Sequence, residues 1–332
     1  MEFITIPGTA LRASRIALGT WSIGGSEWGG SDETESIRAI HAALDLGVNL
    51  FDTAPIYGNG LAEEVLGRAL SGEHRHKALI ATKCGLDFSR SDGVYRNSTR
   101  TVILREVEDS LRRLNTDVID LYQVHWPDPV VPFAETGAIF QDLKKQGKIR
   151  AIGVSNFSPA QMEAFRKAGP IHTSQPPYNL FERGAQQDVL PYCHQNHIAT
   201  MVYGPLCRGL LSGRMQMDTK FEANDIRLED PKFEASRYSH YLRAVTSLDE
   251  FAQKNFSKRV IDLALRWLLD QPHVSIVLWG GRKPTQLAPL QTAWNWTLGN
   301  TQTEIDRILT ECIPQPIGPE FLTPKIRNVA AD

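Results

Sequence analysis

The sequence predicts an α/β protein, a (β/α)8 TIM barrel with an N-terminal β-hairpin and extra C-terminal helices. Three observations carry that prediction. Short apolar runs of strand length alternate strictly with amphipathic runs of helix length, about eight times. Short connections between them call for parallel strands and right-handed crossovers. Eight such units in roughly 250 core residues is the size of a closed barrel. Third, polar residues gather at the C-terminal ends of the strands, where barrels carry their sites. A doubly wound open sheet normally has a Gly-rich first turn, and neither GxGxxG nor a GK[ST] phosphate loop occurs here.

The elements follow in order. Residues 3–7 and 11–16 pair around Gly8-Thr9 as a short hairpin. The apolar strand 16–19 ends in Thr20-Trp21 and runs into a loop holding Gly24, Gly25, Gly29 and Gly30. Residues 32–46 form a helix capped by Ser31 or Asp32, with Ile37, Ile40, Ala43 and Leu44 on one face and Gly47 as its stop. Strand 48–52 is broken by Thr53-Ala54-Pro55, and Tyr57-Gly58-Asn59-Gly60 turns into helix 62–70. Strand 79–83 and a polar loop lead to helix 99–114. Strand 119–125 leads to helix 133–145, strand 149–155 to helix 159–168, and strand 171–175 to helix 185–195. Strand 199–203 enters a long irregular stretch, 204–237. Helices 241–254 and 258–269, strand 274–279 and helical segments 285–296 and 303–312 complete one domain over 1–332.

Composition narrows the function classes. Apolar content of 42% and charge of 22% are those of a soluble globular protein. A formal net charge of −2 gives no electrostatic case for nucleic acid or an acidic membrane surface. Cys84, Cys193, Cys207 and Cys312 are scattered, without a CxxC pair, and read as reduced thiols of a cytoplasmic protein. No stretch reads as a signal peptide or a membrane span. No cluster has metal-ligand spacing. His74, His76, His194 and His197 lie in polar surroundings.

Three successive strand ends carry chemistry: Asp52 with Tyr57 on the loop just beyond, then Lys83, then His125. A free tyrosine titrates near ~10, too high to exchange protons at neutral pH unaided. Lys83 is the cation available to favour the phenolate, and Asp52 would hold Lys83 in place. His125 can donate a hydrogen bond to a substrate oxygen. Such a site protonates an oxygen on which negative charge develops. No Ser or Cys stands beside a base, so a covalent nucleophile is absent. A proton donor without a nucleophile suggests carbonyl reduction with hydride from a cofactor.

The motifs themselves resemble a known family. Gly-Val-Asn-Leu-Phe-Asp-Thr-Ala-Pro-Ile-Tyr-Gly (47–58), Ala-Thr-Lys (81–83), Asp-Leu-Tyr-Gln-Val-His-Trp-Pro-Asp (120–128), Ile-Gly-Val-Ser-Asn-Phe (152–157) and Leu-Ala-Leu-Arg-Trp-Leu (263–268) resemble the signatures of the aldo-keto reductases. The details look like the bacterial general-stress or glyceraldehyde-reductase-like branch. The resemblance implies Tyr57 as acid/base, Asp52 and Lys83 as its tuners and His125 as substrate orienter. It implies NADP(H) lying across the barrel mouth. Gly19, Thr20, Trp21, Ser155, Asn156, Gln175, Tyr203, Gly204, Pro205, Leu206, Arg208, Gly280, Gly281, Arg282 and Gln286 would hold it. Among these, Ser155, Asn156 and Gln175 would meet the nicotinamide amide and Tyr203 its ring. Residues 204–206 and Arg208 would line the pyrophosphate, and Arg282 would read a 2′-phosphate. Leu290 stands where many relatives carry an adenine-binding Asn. Trp21 and Trp126 would wall a small carbonyl substrate, and segment 204–237 would close as a lid. The expected protein is a monomer or weak oligomer. The same motifs also fit a cofactor-sensing, channel-subunit-like binding protein with little turnover.

Overall fold

The barrel closes as the alternation requires. In the computed structural model, described over residues 1–328, a hairpin of β1 (Phe3–Thr5) and β2 (Arg12–Ser14) comes first. It is followed by β3 (Ile16–Gly19), α1 (Glu33–Asp45), β4 (Leu50–Asp52), α2 (Leu61–Ala69), β5 (Leu79–Cys84), β6 (Leu86–Asp87), β7 (Tyr95–Arg96), α3 (Arg100–Arg113), β8 (Ile119–Val124) and α4 (Phe133–Lys145). Next come β9 (Ile149–Ser155), α5 (Pro159–Arg166), β10 (Thr173–Gln175), α6 (Val189–Gln195), β11 (Ala199–Val202), α7 (Ala235–Phe256), α8 (Val260–Asp270), β12 (Ile276–Gly280), α9 (Ala288–Thr292), α10 (Gln302–Cys312) and β13 (Lys325–Ile326). Strands β3, β4, β5, β8, β9, β10, β11 and β12 form the closed ring, with β12 returning to β3.

Side chains two apart on a strand share a face. The ring interior is therefore built from Ala17, Leu50, Ala81, Leu121, Ala151, Ala199, Met201, Ile276 and Leu278. Ile6, Leu11 and Ala13 of the hairpin join this inner cluster and plug the ring at one end. The next inward positions toward the C-terminal ends are polar: Asp52, Lys83, Gln123 and Gln175. Register places Gly19 beside Asp52 and Lys83 beside Gln123. The interior is full at that height. A Cβ on Gly153 would stand 2.3 Å from Thr173 Oγ1 and 2.8 Å from Gln123 Cγ. A second, larger apolar layer lies between the ring and its helices, with Trp267, Tyr178 and Phe140 among its largest side chains.

The structure adds what two-residue strands cannot signal. The polar loop after β5 contains β6 and β7, and β7 also pairs in parallel with β13. Helix α7 starts at Ala235, six residues before the expected 241, because Tyr238 already belongs to its buried face. Segment 204–234 is not loose. It contains three short turns of helix, and its Asp225, Asp230 and Lys232 are buried.

Glu106 on α3 fixes the turn after β5. Its carboxyl accepts the Gly85 amide at 2.7 Å, and burial raises its pKa to about 8. The folded protein thus holds a proton that the unfolded chain releases above about 4.5. This stabilisation is complete below the unfolded pKa and is lost as pH rises through about 8. Melting temperatures measured from pH 5 to pH 9 are expected to fall less steeply in Glu106→Gln than in the parent. Equal slopes would remove Glu106 from the account.

Candidate active site

The polar layer at the top of the ring is the floor of the site. Lys83 Nζ lies 2.6 Å from Asp52 Oδ2 and also donates to the Thr53 carbonyl at 3.0 Å. The other Asp52 oxygen accepts Gln123 Nε2 at 3.0 Å and Gln175 Nε2 at 2.9 Å. Lys83 is 0% and Asp52 3% exposed. Burial alone pulls the Lys83 pKa down, and the Asp52 charge works against that.

Tyr57 stands on this floor. Its hydroxyl accepts Lys83 Nζ at 3.2 Å. The His125 ring meets the tyrosine edge-on, with centroids 5.8 Å apart. Trp21 stacks on it from another side at 6.1 Å. Two glycines permit this arrangement. The loop after β3 crosses the loop after β4 where Gly24 meets Gly58. A Cβ on Gly24 would lie 2.5 Å from the Tyr57 carbonyl carbon, and one on Gly58 would lie 2.3 Å from Gly24 O. Gly58 also has φ +63°.

The electrostatics correct one expectation. Lys83 does not bring Tyr57 into the neutral range. Burial raises the Tyr57 pKa well above its ordinary value, and the Asp52 and Glu27 carboxylates add to the rise. The phenol is therefore protonated at neutral pH. Burial, with the Lys83 charge, lowers the His125 pKa well below its usual value and keeps the ring neutral.

A cavity of about 1140 Å3 opens above this floor. At the floor end it is lined by Trp21, Tyr57, His125 and Trp126, and it continues past Tyr203, Gly204, Pro205 and Leu206 to Gly280, Gly281, Arg282 and Gln286. Gly19, Thr20, Ser155, Asn156, Gln175 and Arg208 also line it. Asn156 has φ +63°, the left-handed region that non-glycine residues seldom occupy. Its amide donates to His125 O at 3.0 Å, and its Oδ1 accepts the Tyr203 hydroxyl at 2.9 Å. Ser155 Oγ donates to Gln175 O at 2.9 Å. These contacts tie β9, β10 and β11 to the loop that carries His125.

Several expected contacts take another form. Gln175 turns its amide inward to Asp52 rather than outward. Arg208 does not offer its charge to the cavity. It pairs with Glu182 and, at 2.6 Å, with Asp230, while Lys232 Nζ reaches Glu182 at 2.8 Å. All four side chains are buried. This cluster pins segment 204–234 in place as an anchored strap. Arg282 Nη1 donates to the carbonyls of Trp28, at 2.9 Å, and Gly30. Gln286 Oε1 accepts the amides of Arg282 and Lys283 at 2.9 and 3.0 Å. Leu290 is buried in the outer core, and Ala288, Pro289 and Thr292 face the cavity instead.

Sequence reasoning missed Gln123, the Gly24–Gly58 crossing, Glu27, Trp28 and the Glu182–Lys232 contacts. Only Gln123 had a usable signal: it stands two residues after inward-facing Leu121, level with Lys83.

A parallel barrel with a buried Asp–Lys pair beneath a tyrosine and a neutral histidine defines an oxidoreductase class. The comparisons name it. The profile described as Aldo/keto reductase family matches residues 15–309. The chain is 52% identical to aldo-keto reductase YhdN of Bacillus subtilis over 99% of both chains. It is 32% identical to the NADH-specific methylglyoxal reductase of Escherichia coli, over 94% of this chain and 99% of that one. Among solved structures, the glycerol dehydrogenase AKR11B4 of Gluconobacter oxydans superposes with TM-score 0.86 at 47% identity, covering 97% of this chain and 99% of the other. The chain belongs to the aldo/keto reductase family, whose oxidoreductases use a nicotinamide cofactor.

Removing one partner from a buried ionic cluster leaves a charge uncompensated, at a cost of about 3–5 kcal/mol. Lys232→Met is therefore expected to lower the melting temperature by several degrees. A Tm within a degree of the parent would show that the strap is held by other contacts.

Proposed function

We propose that this protein is an NADPH-dependent reductase of aldehydes and some ketones, working reversibly, with Tyr57 as the proton donor. The observation that carries the reading is the Tyr57 hydroxyl, 3.2 Å from Lys83 Nζ, beside a neutral His125 in the wall of one cavity. The residues present fit a nicotinamide dinucleotide. The cavity is long, has the Tyr203 ring near the floor and ends at a guanidinium. When bound, the cofactor supplies the hydride.

The chain's own residues do the rest. His125, neutral, donates a hydrogen bond to the carbonyl oxygen and sets its direction. The phenol of Tyr57 gives its proton to that oxygen as negative charge grows there. A phenol is ordinarily a far stronger acid than an alcohol, which favours transfer to the forming alkoxide. Lys83 steadies the phenolate left behind, and Asp52 holds Lys83. In the oxidation direction Tyr57 must first lose its proton, so that direction gains as pH rises. Trp21 and Trp126 flank the carbonyl and exclude water.

Two variants test the reading. In Tyr57→Phe, turnover is expected to fall by about 10²–10⁴-fold, with cofactor affinity within a few-fold of the parent. Undiminished turnover would sink the assignment. Arg282 has a lowered pKa through burial but remains a guanidinium, the group best matched to phosphate. Loss of a charged hydrogen bond costs about 1.5–3 kcal/mol. In tryptophan fluorescence titrations, Arg282→Ala should thus weaken NADPH roughly 10–100-fold and NADH far less. Equal loss for both cofactors would remove Arg282 as the phosphate reader.

A further inference from the structure

Glu27 is placed with care, yet no part of the proton transfer uses it. It lies on the loop between β3 and α1, half-buried, with its carboxyl in the cavity wall. One oxygen accepts the Trp21 indole N–H at 2.5 Å. Trp21 in turn stacks on Tyr57, with 24° between the ring planes. The acid thus sits one ring away from the proton donor. Its backbone is fixed as well: Glu27 O accepts Ile226 N at 3.1 Å, and the next carbonyl, of Trp28, accepts Arg282.

Burial raises the Glu27 pKa above its usual value, and no ion pair offsets its charge once it ionises. Among the described residues no cation stands within ion-pair distance of Glu27. Arg227, on the strap opposite, is committed to Asp225 through Nε at 2.7 Å and a second contact. Arg282 is turned to the loop carbonyls. Lys83 serves Asp52. Glu229, another cavity residue, adds negative charge to this end. The field of Glu27 reaches Tyr57 itself.

We infer that Glu27 is a specificity-determining residue: it fixes negative charge in the wall beside Tyr57 and selects neutral carbonyl substrates over carboxylate-bearing ones. This inference rests on the reductase reading. A second carboxylate entering the cavity would meet like charge behind a low-dielectric ring, where repulsion at several ångströms changes an equilibrium about tenfold or more. Glutamine keeps the oxygen that Trp21 needs and removes only the charge.

The test compares kcat/KM for propanal and for 4-oxobutanoate, in the parent and in Glu27→Gln, with saturating cofactor. The parent is expected to favour propanal strongly. Glu27→Gln should raise kcat/KM for the anion about tenfold or more and leave propanal within about threefold. The same preference in the parent should shrink at high salt, through screening. An unchanged preference in the variant, or an equal change for both substrates, overturns the inference while leaving the reductase reading intact. A folded parent that binds cofactor but reduces neither aldehyde overturns both.

Discussion

The site hangs on a buried ion pair that would be ruinous alone. Taking Asp52 and Lys83 out of water costs several kcal/mol per ion, and their mutual attraction offsets this only if the remaining lone pairs and protons are satisfied. They are. Asp52 receives Lys83, Gln123 and Gln175, and Lys83 spends further hydrogen bonds on Thr53 O and Tyr57. These groups come from four barrel strands and the loop after one of them, so only a correctly closed ring assembles the set. The ring also has to leave room, which is why position 153 carries no side chain. One polar layer therefore closes the apolar barrel interior and opens the reactive cavity.

Above that layer, position is set by backbone crossings and by charge. The Gly24–Gly58 contact brings the Trp21 loop against the Tyr57 loop. The cluster of Arg208, Glu182, Asp230 and Lys232 holds the strap, and Lys232 also donates to Gly318 O at 2.8 Å. Ile226 then meets Glu27 across the mouth. Wall, strap and floor are separate in sequence and continuous in space.

The barrel was legible because its signal is repeated. Each strand–helix unit declares itself through period-2 and period-3.6 patterns, and β9 and α4 occupy the expected ranges to the residue. Asp52, Tyr57, Lys83 and His125 were legible because strand ends are fixed once the ring is known. Three things were not. Strands of two residues, such as β6, β7 and β13, are too short to show a period. The buried charge cluster of the strap was not legible, since sequence gives no sign that Arg208, expected at a pyrophosphate, and Lys232 will meet Glu182 and Asp230 out of water. The direction of the Tyr57 shift could not be read either, because it comes first from burial and then from the Asp52 and Glu27 carboxylates, and sequence shows neither the depth nor the second neighbour.

The small sheet of β6, β7 and β13 joins distant parts of the chain. Lys325 and Ile326 pair with Tyr95 and Arg96, and Leu322, Thr323, Pro324 and Lys325 line the cavity. All eight barrel strands precede residue 281. One wall of the pocket is therefore made by chain that follows the whole ring. A chain cut after α10 would keep the sequence of the whole ring and of the floor residues, yet lose this wall of the cavity. The stretch that closes the ring and the stretch that walls this side of the cavity are thus separate parts of the chain, open to change independently.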